Sequence, residues 1–484
     1  MTIIADFGTM KKKFIVVILL VFIIVGCSKT IIVTHQVDLP LNTDSIVSIE
    51  IDQNRRGFVI PPAFQGLSYE MNILATTPSF LNVSNTVLIQ LIKNLGPGVL
   101  RLGGNSSDDI LWTGTARAAG TPANSLTSTE IDNLAAFSKA IGWPVLFGFN
   151  MGTYDPAVAA NEAKYVSFSL QGSLLAFQSG NEPDGYHSWN PKRASTYWYP
   201  DFKPEWESYF SAVRKAVPNV PFAGPDIAYR SDWVTPFAAD EGRNVVLLDG
   251  HYYQNGPASD PAINISSLFT PIPQYTDYFK VIGSASAASN IPWRITECNS
   301  INGGGKSGVS DTFASALWAL DFMWMVAQNG GQGVNFHGGN GGAYSPFATS
   351  GGIPYARPIY YAFLAFKYGS EGFTVVPVTV GSTKYSCSAY ACIKTGVTSL
   401  TLINKNAAKG LIFKVQLSGK AAVLHIARMS APLISSTSGV KFCNSAVNAN
   451  GTFQAGSTVD VSVIGLDNFS VVVPAASAAV VLIQ

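Results

Sequence analysis

The chain has 484 residues, more than a single hydrophobic core usually organises, so we expect one large domain together with a smaller one. Hydrophobic residues make up 47% of the sequence and charged residues only 13%, which excludes an intrinsically disordered protein. The formal net charge is +1 and the longest basic run is Lys11–Lys13, so electrostatic binding to nucleic acid is not expected.

The N-terminal region has the pattern of a targeting segment. Three lysines precede the apolar run Phe14–Val25, which is too short to span a bilayer, since a spanning helix needs about 20 residues. Gly26 and Cys27 follow, and the residues up to Cys27 resemble the bacterial lipobox. We therefore predict a signal peptide over residues 1–27 with Cys27 as the lipidation site, and a tether over residues 28–45. The protein would be exported and would contact the bacterial cell envelope only through its lipid anchor; plain secretion is the alternative.

Cysteine and histidine content predicts neither a disulfide scaffold nor a metal site. Beyond Cys27 the sequence has only Cys298, Cys387, Cys392 and Cys443. A Cys387–Cys392 or a Cys392–Cys443 bridge is compatible with an exported protein, and the sequence does not choose between them. The five histidines are scattered, and no Cys/His cluster has metal-ligand spacing, so we predict no metal.

Residues 63–367 alternate short apolar runs with longer helical patterns. The eight predicted strands are Phe64–Glu70, Val99–Gly103, Val145–Phe149, Leu174–Gly180, Phe222–Ile227, Val246–Tyr253, Trp293–Glu297 and Gly333–His337. Between strands lie helical patterns such as Glu130–Ile141, Glu205–Val217 and Asp311–Gln328, and Pro204 suits the first helical position of the second. This alternation predicts an α/β fold, a (β/α)8 TIM barrel. A doubly wound open sheet is the alternative, but no glycine-rich phosphate loop follows the first strand.

The residue composition and the hydrophobic pattern of the sequence change after Phe366. Alternating apolar runs bounded by Gly, Asn and Ser are Leu400–Asn404, Leu411–Leu417, Ala422–Arg428, Val459–Ile464 and Ala478–Ile483. They predict a C-terminal all-β sandwich domain over residues 368–484. The β-like pattern in residues 46–62 is expected to join this sandwich, because the barrel count is already complete.

Two short β-prone runs with a similar residue pattern each lead to a glutamate. Strand counting places Glu182 after the fourth barrel strand and Glu297 at the end of the seventh. Parallel barrels carry their chemistry at the carboxyl ends of their strands, and the ends of these two strands lie across the barrel mouth. A retaining glycosidase needs two carboxyl groups about 5–5.5 Å apart, one protonated and one ionised. Glu182 alone could be a solvated loop carboxylate, but the pair favours a glycosidase.

Further motifs lie at the predicted strand ends. They are Phe64–Glu70, Leu100–Asn105, Gly180–Pro183, His251–Tyr253, Thr296–Glu297, Gly303–Gly305, Ser310–Ala314 and Phe336–Gly339. Together they resemble glycoside hydrolase family 79, the β-glucuronidase and heparanase family, over most of residues 46–484. The glycine triplet followed by Ser-Asp-Thr-Phe-Ala is the most specific of them. The resemblance implies a barrel with a C-terminal β-sandwich, hydrolysis with retention of configuration, and no cofactor.

The resemblance also implies roles for individual residues. Glu182 would be the acid/base and Glu297 the nucleophile. The implied substrate-binding residues are Asn181 for the 2-hydroxyl, Glu70 and Asp108 for other hydroxyls, and Tyr253 and Tyr344 for a uronate carboxylate. A helix cap is the alternative role for Asp108.

Other polar and aromatic residues have supporting roles in this interpretation. Arg101, on the second strand, is expected to pair with a carboxylate inside the barrel and to keep Glu297 ionised. His251 and His337 are expected to be hydrogen-bonded supports rather than acids or ligands. Three tryptophans are candidates either for sugar-binding walls or for ordinary core packing: Trp112, Trp189 and Trp233.

The sequence therefore predicts a retaining, exo-acting β-glucuronidase that acts on glycans containing glucuronic acid. An endo-acting enzyme on uronate-containing chains and a neutral-sugar β-glycosidase are the enzymatic alternatives. An inactive surface glycan-binding protein is the alternative of a different class, because fold alone does not give function.

Overall fold

A computed structural model describes residues 32–33, 45–228, 230–270 and 273–484. The strands are β1 (Ile32–Val33), β2 (Ile46–Ile51), β3 (Gly66–Glu70), β4 (Val99–Gly103), β5 (Leu111–Trp112), β6 (Ser125–Leu126), β7 (Val145–Phe149), β8 (Leu174–Ser179), β9 (Ala223–Ile227), β10 (Leu247–Asn255), β11 (Trp293–Ile301), β12 (Val334–Gly339), β13 (Phe347–Ser350), β14 (Ile353–Ala356), β15 (Thr374–Val376), β16 (Val378–Val380), β17 (Cys387–Lys394), β18 (Val397–Asn404), β19 (Leu411–Ser430), β20 (Lys441–Phe442), β21 (Val459–Val473) and β22 (Ser477–Ile483). The helices are α1 (Ile73–Thr76), α2 (Thr86–Asn94), α3 (Ser128–Ile141), α4 (Pro156–Leu170), α5 (Tyr199–Ala216), α6 (Ser231–Glu241), α7 (Pro273–Ser289), α8 (Phe313–Gln328) and α9 (Pro358–Ser370).

Most of the predicted targeting segment lies outside the residues that the structure describes. The signal peptide, Cys27 and most of the tether lie outside the described residues, although β1 falls within the predicted tether. In the part of the chain that the structure describes, no helix combines the length and the apolar character needed to cross a membrane.

Eight parallel strands form the predicted barrel. Their order is β8-β7-β4-β3-β12-β11-β10-β9. A parallel bridge between Phe177 in β8 and Phe222 just before β9 joins the two edges and closes the sheet. The predicted bounds agree within two residues with one exception: β11 continues beyond Glu297 to Ile301. Glu297 therefore lies inside a strand rather than at its end, because β10 also runs on and pairs with β11 as far as Asn255.

Burial explains why the barrel strands read as continuous apolar runs. All five residues of β4 and all five of β7 are buried, since one face lines the barrel interior and the other lies under helices. Helix α8 is buried on nearly every side for a similar reason. Trp318 packs edge-on against Phe336 of the barrel, and Trp324 stacks on Tyr390 of the second domain at a ring distance of 5.7 Å.

Helix α5 starts earlier than predicted. It begins at Tyr199, so Pro204 lies inside the helix rather than at its first position, and Pro200 takes a place in the first turn. A proline at the second helical position loses no backbone hydrogen bond, because the first N–H groups of a helix have no partner within it. That early proline, rather than Pro204, is the start signal.

Ten of the remaining strands form the sheet of the predicted C-terminal β-sandwich domain, whereas β5 pairs with β6 and β13 with β14 in two separate small sheets. Strand β2 pairs with β16 and β19, so the early strand joins this domain as predicted. The two predicted strands Leu411–Leu417 and Ala422–Arg428 are one strand, β19, with a shift in register between Gln416 and Ala421. The first part of β19 pairs with β2 and its last part pairs with β22, so this one strand connects β2 to β22 and the strands beside it.

The four described cysteines, Cys298, Cys387, Cys392 and Cys443, are free. Cys387 and Cys392 are five positions apart on the extended strand β17, so their side chains are on opposite faces and far beyond disulfide distance. Neither bridge that the sequence left open is present among the described residues.

Candidate active site

The two glutamates predicted from the sequence converge at the carboxyl ends of the barrel strands. One carboxylate oxygen of Glu182, one of Glu297 and one ring nitrogen of His251 all lie within 4.8 Å of one another. Both glutamate side chains are largely buried, with 13% and 7% of their surface exposed, respectively. Although 115 positions separate them along the sequence (297 − 182 = 115), their carboxyl groups therefore share one partly enclosed space.

Backbone conformation aims Glu182 at this space. Its φ angle is +48°, in the left-handed region that side chains other than glycine rarely adopt. The N–H of Glu182 donates to the carbonyl of Asp226 at 2.9 Å, which fixes the turn after β8 against β9, and Pro183 then starts a single helical turn. Strain of this kind persists only where the surroundings enforce it, and it concentrates at functional sites.

Glu297 is held as an ionised carboxylate. One oxygen accepts from Arg101 Nη1 at 2.8 Å and the other from the hydroxyl of Tyr253 at 2.7 Å. Burial raises the pKa of Glu297, but interaction with the charges of His337, His251 and Arg101 outweighs burial, so this pKa lies well below its ordinary value. The predicted pairing of Arg101 with a barrel carboxylate is confirmed.

Arg101 is fully buried and connects both sides of the site. Its other donors reach Asn181 Oδ1 at 2.9 Å, Asp226 Oδ2 at 2.6 Å and Gln178 Oε1 at 2.9 Å. Burial lowers the pKa of Arg101, but the carboxylates of Asp226 and Glu297 raise it above its ordinary value. The guanidinium is therefore a permanent cation beneath the cavity.

Asp226 is a central residue of the site that the sequence analysis missed. Its carboxylate accepts from Arg101, from Gln178 Nε2 at 2.6 Å and from the Thr296 hydroxyl at 3.1 Å. Its backbone also has a left-handed φ of +58°. The available signal was an acidic residue near the end of the predicted strand Phe222–Ile227, where a buried charge requires a partner.

His251 connects Asp226 to Glu182. Its Nδ1 lies 2.9 Å from Glu182 Oε1, and its Nε2 lies 3.0 Å from Asp226 Oδ1. Burial lowers the pKa of His251, but the charges of Asp226 and Glu297 raise it to about 10. Both ring nitrogens then carry protons and donate to carboxylates, so the expectation that His251 is a hydrogen-bonded support is confirmed.

The protonation of both ring nitrogens of His251 also affects whether this site can bind a metal ion. Glu182, His251 and Glu297 offer three donor atoms near enough to surround one ion. An imidazolium has no lone pair for a metal, and Arg101 and Tyr253 already occupy the oxygens of Glu297. These residues do not fit a metal site at neutral pH.

The charge on His251 makes a measurable contribution to stability. Its folded pKa of about 10 lies above its unfolded value of about 6.5, so the contribution is complete below pH 6.5 and is lost as the pH rises towards 10. Replacing His251 by Gln is expected to lower the free energy of unfolding by a few kcal/mol at pH 6, and by much less at pH 10. Urea denaturation of both proteins across this range gives the difference. A difference that does not change with pH would mean that His251 is neutral in the folded protein.

A cavity of about 690 Å³ opens above these groups. Glu70, Tyr253 and Tyr344, three of the predicted substrate-binding residues, line it together with Glu182 and Glu297. Further lining comes from Asn105, Trp189, Asn302, Gly303, Gly304, His337 and Asn340. No lysine or arginine is among the described residues that line the cavity.

Asn181 and Asp108, two of the predicted substrate-binding residues, are buried beside the cavity. Asn181 is 1% exposed, accepts from Arg101 and donates to Asn105 Oδ1 at 3.1 Å. Asp108 is also 1% exposed and accepts from the hydroxyl of Tyr186 at 2.8 Å and the backbone N–H of Met151 at 3.2 Å. Neither is among the described residues that line the cavity, because protein donors and acceptors already surround both side chains.

Glu70 and His337 form the opposite wall. Glu70 Oε2 accepts from the N–H and the hydroxyl of Ser106 at 2.9 and 2.5 Å, and Glu70 Oε1 lies 3.5 Å from His337 Nε2. Burial raises the pKa of Glu70, but its interactions with His337 and Ser106 lower it below the ordinary value. The other His337 nitrogen lies 3.0 Å from the Ser68 hydroxyl and 3.4 Å from Glu297, so His337 has the supporting position expected of it.

Known proteins resemble this chain in sequence and in fold. No protein-family model matches the sequence. The chain is 24% identical to a β-glucuronidase of Aspergillus niger over 403 residues, which are 73% of this chain and 74% of that protein. It is 23% identical to the heparanase of Rattus norvegicus over 347 residues, 60% of this chain and 64% of that protein. A solved 4-O-α-L-rhamnosyl-β-D-glucuronidase of Fusarium oxysporum superposes with a TM-score of 0.73 at 18% identity, covering 90% of this chain and 99% of that one. The family resemblance predicted from the motifs is confirmed, and so is the fold.

Proposed function

We propose that this chain, which is similar to the β-glucuronidases and heparanases of glycoside hydrolase family 79, is a retaining β-glucuronidase that removes terminal glucuronic acid from glycans. The observation that carries the proposal is the short distance between Glu182 and Glu297, combined with their different surroundings. Two carboxyl groups about 5–5.5 Å apart suit retention, whereas inversion needs about 6.5–9.5 Å to admit a water molecule. An oxygen–oxygen approach within 4.8 Å supports the first mechanism.

Hydrolysis with retention has two steps, formation and hydrolysis of a glycosyl–enzyme ester, and the two glutamates have the properties that these steps require. Glu297, ionised between Arg101 and Tyr253, attacks the anomeric carbon while Glu182 gives its proton to the departing oxygen. The glycosidic bond breaks and a glycosyl–enzyme ester forms on Glu297. Glu182, now a carboxylate, takes a proton from water as the water attacks the ester. This step releases glucuronic acid with its original configuration and restores both glutamates.

The cavity supports a uronate as the terminal sugar. Burial raises the pKa values of Tyr253 and Tyr344, so both hydroxyls keep their protons. Tyr253 donates its proton to Glu297, which leaves Tyr344 as the tyrosine that can donate to a ligand. Gly303 and Gly304 line the same wall with φ angles of +75° and +92°, and their N–H groups have no acceptor among the described residues. Neutral donors bind a carboxylate without adding a charge that would disturb the two catalytic acids. We assign Tyr344 and this glycine loop to the uronate carboxylate, and Glu70 to sugar hydroxyls.

The experiment that tests the proposal is a comparison of p-nitrophenyl β-glucuronide with the corresponding β-glucoside and β-xyloside. We expect turnover of the glucuronide with kcat/KM at least about a hundredfold above that for either neutral sugar, since only the uronate satisfies the carboxylate donors. Proton NMR of the first product should show the β anomer. Faster hydrolysis of the glucoside would favour a neutral-sugar glycosidase. Binding of the glucuronide without turnover would favour a glycan-binding protein.

The volume of the cavity supports endo-acting cleavage as an alternative function. At about 690 Å³ it falls in the range of sites for ligands larger than one sugar ring, so it has space for a second residue of a chain. Endo-cleavage of a uronate-containing polymer is therefore the second candidate. Product analysis on such a polymer separates the two, because exo action releases only monosaccharide from the start, whereas endo action releases oligosaccharides.

We also propose that the protein is exported and attached to the cell envelope through a lipid on Cys27. The support is the order of the lysines, the apolar run Phe14–Val25 and the lipobox-like residues before Cys27. Replacing Cys27 by Ala in the bacterial host should move the protein from the membrane fraction to the soluble fraction. Retention of the variant in the membrane fraction would contradict a lipid on Cys27.

A further inference from the structure

Two residues at the carboxyl ends of neighbouring barrel strands share a rare backbone conformation. Asp226, near the end of β9, has a φ angle of +58°, and Glu182, just after β8, has a φ angle of +48°. The N–H of Glu182 donates to the carbonyl of Asp226 at 2.9 Å. Neither residue is a glycine, so the surrounding structure must supply the contacts that hold both backbones in the left-handed region.

Asp249, on β10, supplies such a contact for Asp226. Its Oδ1 accepts from the backbone N–H of Asp226 at 2.7 Å, and its Oδ2 accepts from Gln178 Nε2 at 2.6 Å. Gln178 Nε2 also donates to the carboxylate of Asp226 at 2.6 Å. Asp249 is fully buried and is not among the described residues that line the cavity. Any effect of Asp249 on the reaction must therefore pass through its neighbours.

The contact between Asp249 and Asp226 does not require a charge on Asp249. Burial and the charge of Asp226 raise the pKa of Asp249 to about 7. When it is ionised, both of its oxygens accept, and when it is protonated, one oxygen is still an acceptor for the Asp226 N–H. Removal of this acceptor would leave a buried N–H without a partner, which is unfavourable. We therefore expect loss of Asp249 to release the left-handed conformation of Asp226.

A displaced Asp226 would move Glu182 by two routes. The first is the backbone, because the carbonyl of Asp226 accepts from the N–H of Glu182. The second is the imidazole of His251, whose Nε2 lies 3.0 Å from Asp226 Oδ1 and whose Nδ1 lies 2.9 Å from Glu182 Oε1. Both the main chain and the carboxyl group of Glu182 are thus oriented by contacts with Asp226 and its partner.

We propose that Asp249 is a positioning residue for proton transfer by Glu182 and that it acts through the backbone of Asp226. This inference rests on the proposed function, because it uses Glu182 as the acid/base. Glu297 depends less on Asp249, since Tyr253 donates to it directly. Loss of Asp249 should therefore weaken proton donation to the departing oxygen more than the attack on the anomeric carbon.

The test compares two glucuronides that differ in their need for a proton. Methyl β-glucuronide loses an alcohol, which requires a proton, whereas 2,4-dinitrophenyl β-glucuronide loses an acidic phenol, which departs without one. For Asp249→Ala we expect kcat/KM to fall about a hundredfold on the methyl substrate, the effect of displacing a catalytic group by about 1 Å. On the dinitrophenyl substrate we expect a fall of less than about threefold, because proton donation contributes little there. Each value is a ratio to wild type on the same substrate.

Two further variants separate positioning from a general effect. Asp249→Asn keeps the volume and one oxygen that can accept from Asp226, so it should show the same difference between substrates at a smaller size. Glu162→Ala is the matched control for Asp249→Ala, since it removes another buried carboxyl group, on α4 and outside the described cavity lining. Both of its ratios should stay near one. Thermal melting establishes that each variant is folded, and Asp249→Asn decides the test if Asp249→Ala does not fold.

The possible results separate this inference from the proposed function. An equal loss on both substrates, or no loss on methyl β-glucuronide, would overturn the role of Asp249. If the wild-type protein hydrolyses neither glucuronide, the proposed function fails and the inference fails with it. A crystal structure of Asp249→Ala gives a readout without turnover. We expect Glu182 Oε1 to lie beyond hydrogen-bond distance of His251 Nδ1, and an unchanged Glu182 would contradict the inference.

Discussion

Replacing Glu297 by Gln is expected to lower kcat on p-nitrophenyl β-glucuronide by at least about 10⁴-fold, because a neutral amide cannot form the glycosyl ester. The glutamine retains the shape of the side chain, so the variant should fold and bind the substrate. The readouts are kcat from nitrophenolate release, the melting temperature and the dissociation constant of the uncleaved substrate. Glu162→Gln is the matched control, since Glu162 is a buried carboxylate on α4, outside the cavity lining.

Chemical rescue then tests the role of Glu297 as nucleophile. In Glu297→Gly, an added azide ion can occupy the space of the missing carboxylate and attack the anomeric carbon from the same side. We expect azide to restore turnover and to give α-glucuronyl azide, the product of one inversion. A β-glucuronyl azide, or residual activity near the wild-type level in Glu297→Gln, would exclude Glu297 as the nucleophile.

The barrel could be predicted from the sequence because its strands are buried on both faces. Strands such as β4 and β7 then appear as unbroken apolar runs, and their predicted bounds are those observed. The position of the two glutamates follows from strand order alone, since the fourth and seventh strands of a barrel have fixed places around its axis. Fold class and the pair Glu182 and Glu297 therefore required no knowledge of side-chain packing.

The buried polar network could not be predicted in the same way. Asp226 and Gln178 lie on different strands, and only the closed barrel places both beside Arg101. For Asn181 and Asp108, the difference between lining the cavity and lying beneath it depends on which neighbours fill the space above them. Residue order does not contain that information. The continuous strand β19 was missed for a related reason, because its shift in register is set by the neighbouring strand β21.

Replacing Glu182 by Ala is expected to give a loss of activity that depends on the leaving group. An acidic phenol departs without a proton, whereas an alcohol requires one, so proton donation matters most for the poorest leaving group. We expect kcat/KM to fall by about 10²–10⁴-fold on methyl β-glucuronide and only slightly on 2,4-dinitrophenyl β-glucuronide. Steady-state kinetics on both substrates give the comparison, and Glu297→Gln, which should lose both activities, serves as the contrast.

The same variant separates the role of Glu182 from that of Glu297 by its product. With the nucleophile intact, Glu182→Ala still forms the glycosyl ester from the dinitrophenyl substrate. Hydrolysis of this ester is slow, because no base activates the attacking water. Azide needs no base, so it should accelerate this step and give β-glucuronyl azide, the product of two inversions. Since one oxygen of Glu182 and one of Glu297 lie within 4.8 Å of each other, the space left by the shortened side chain is next to the ester that azide must reach. An equal loss on both substrates without azide rescue would assign Glu182 to support of the site rather than to proton transfer.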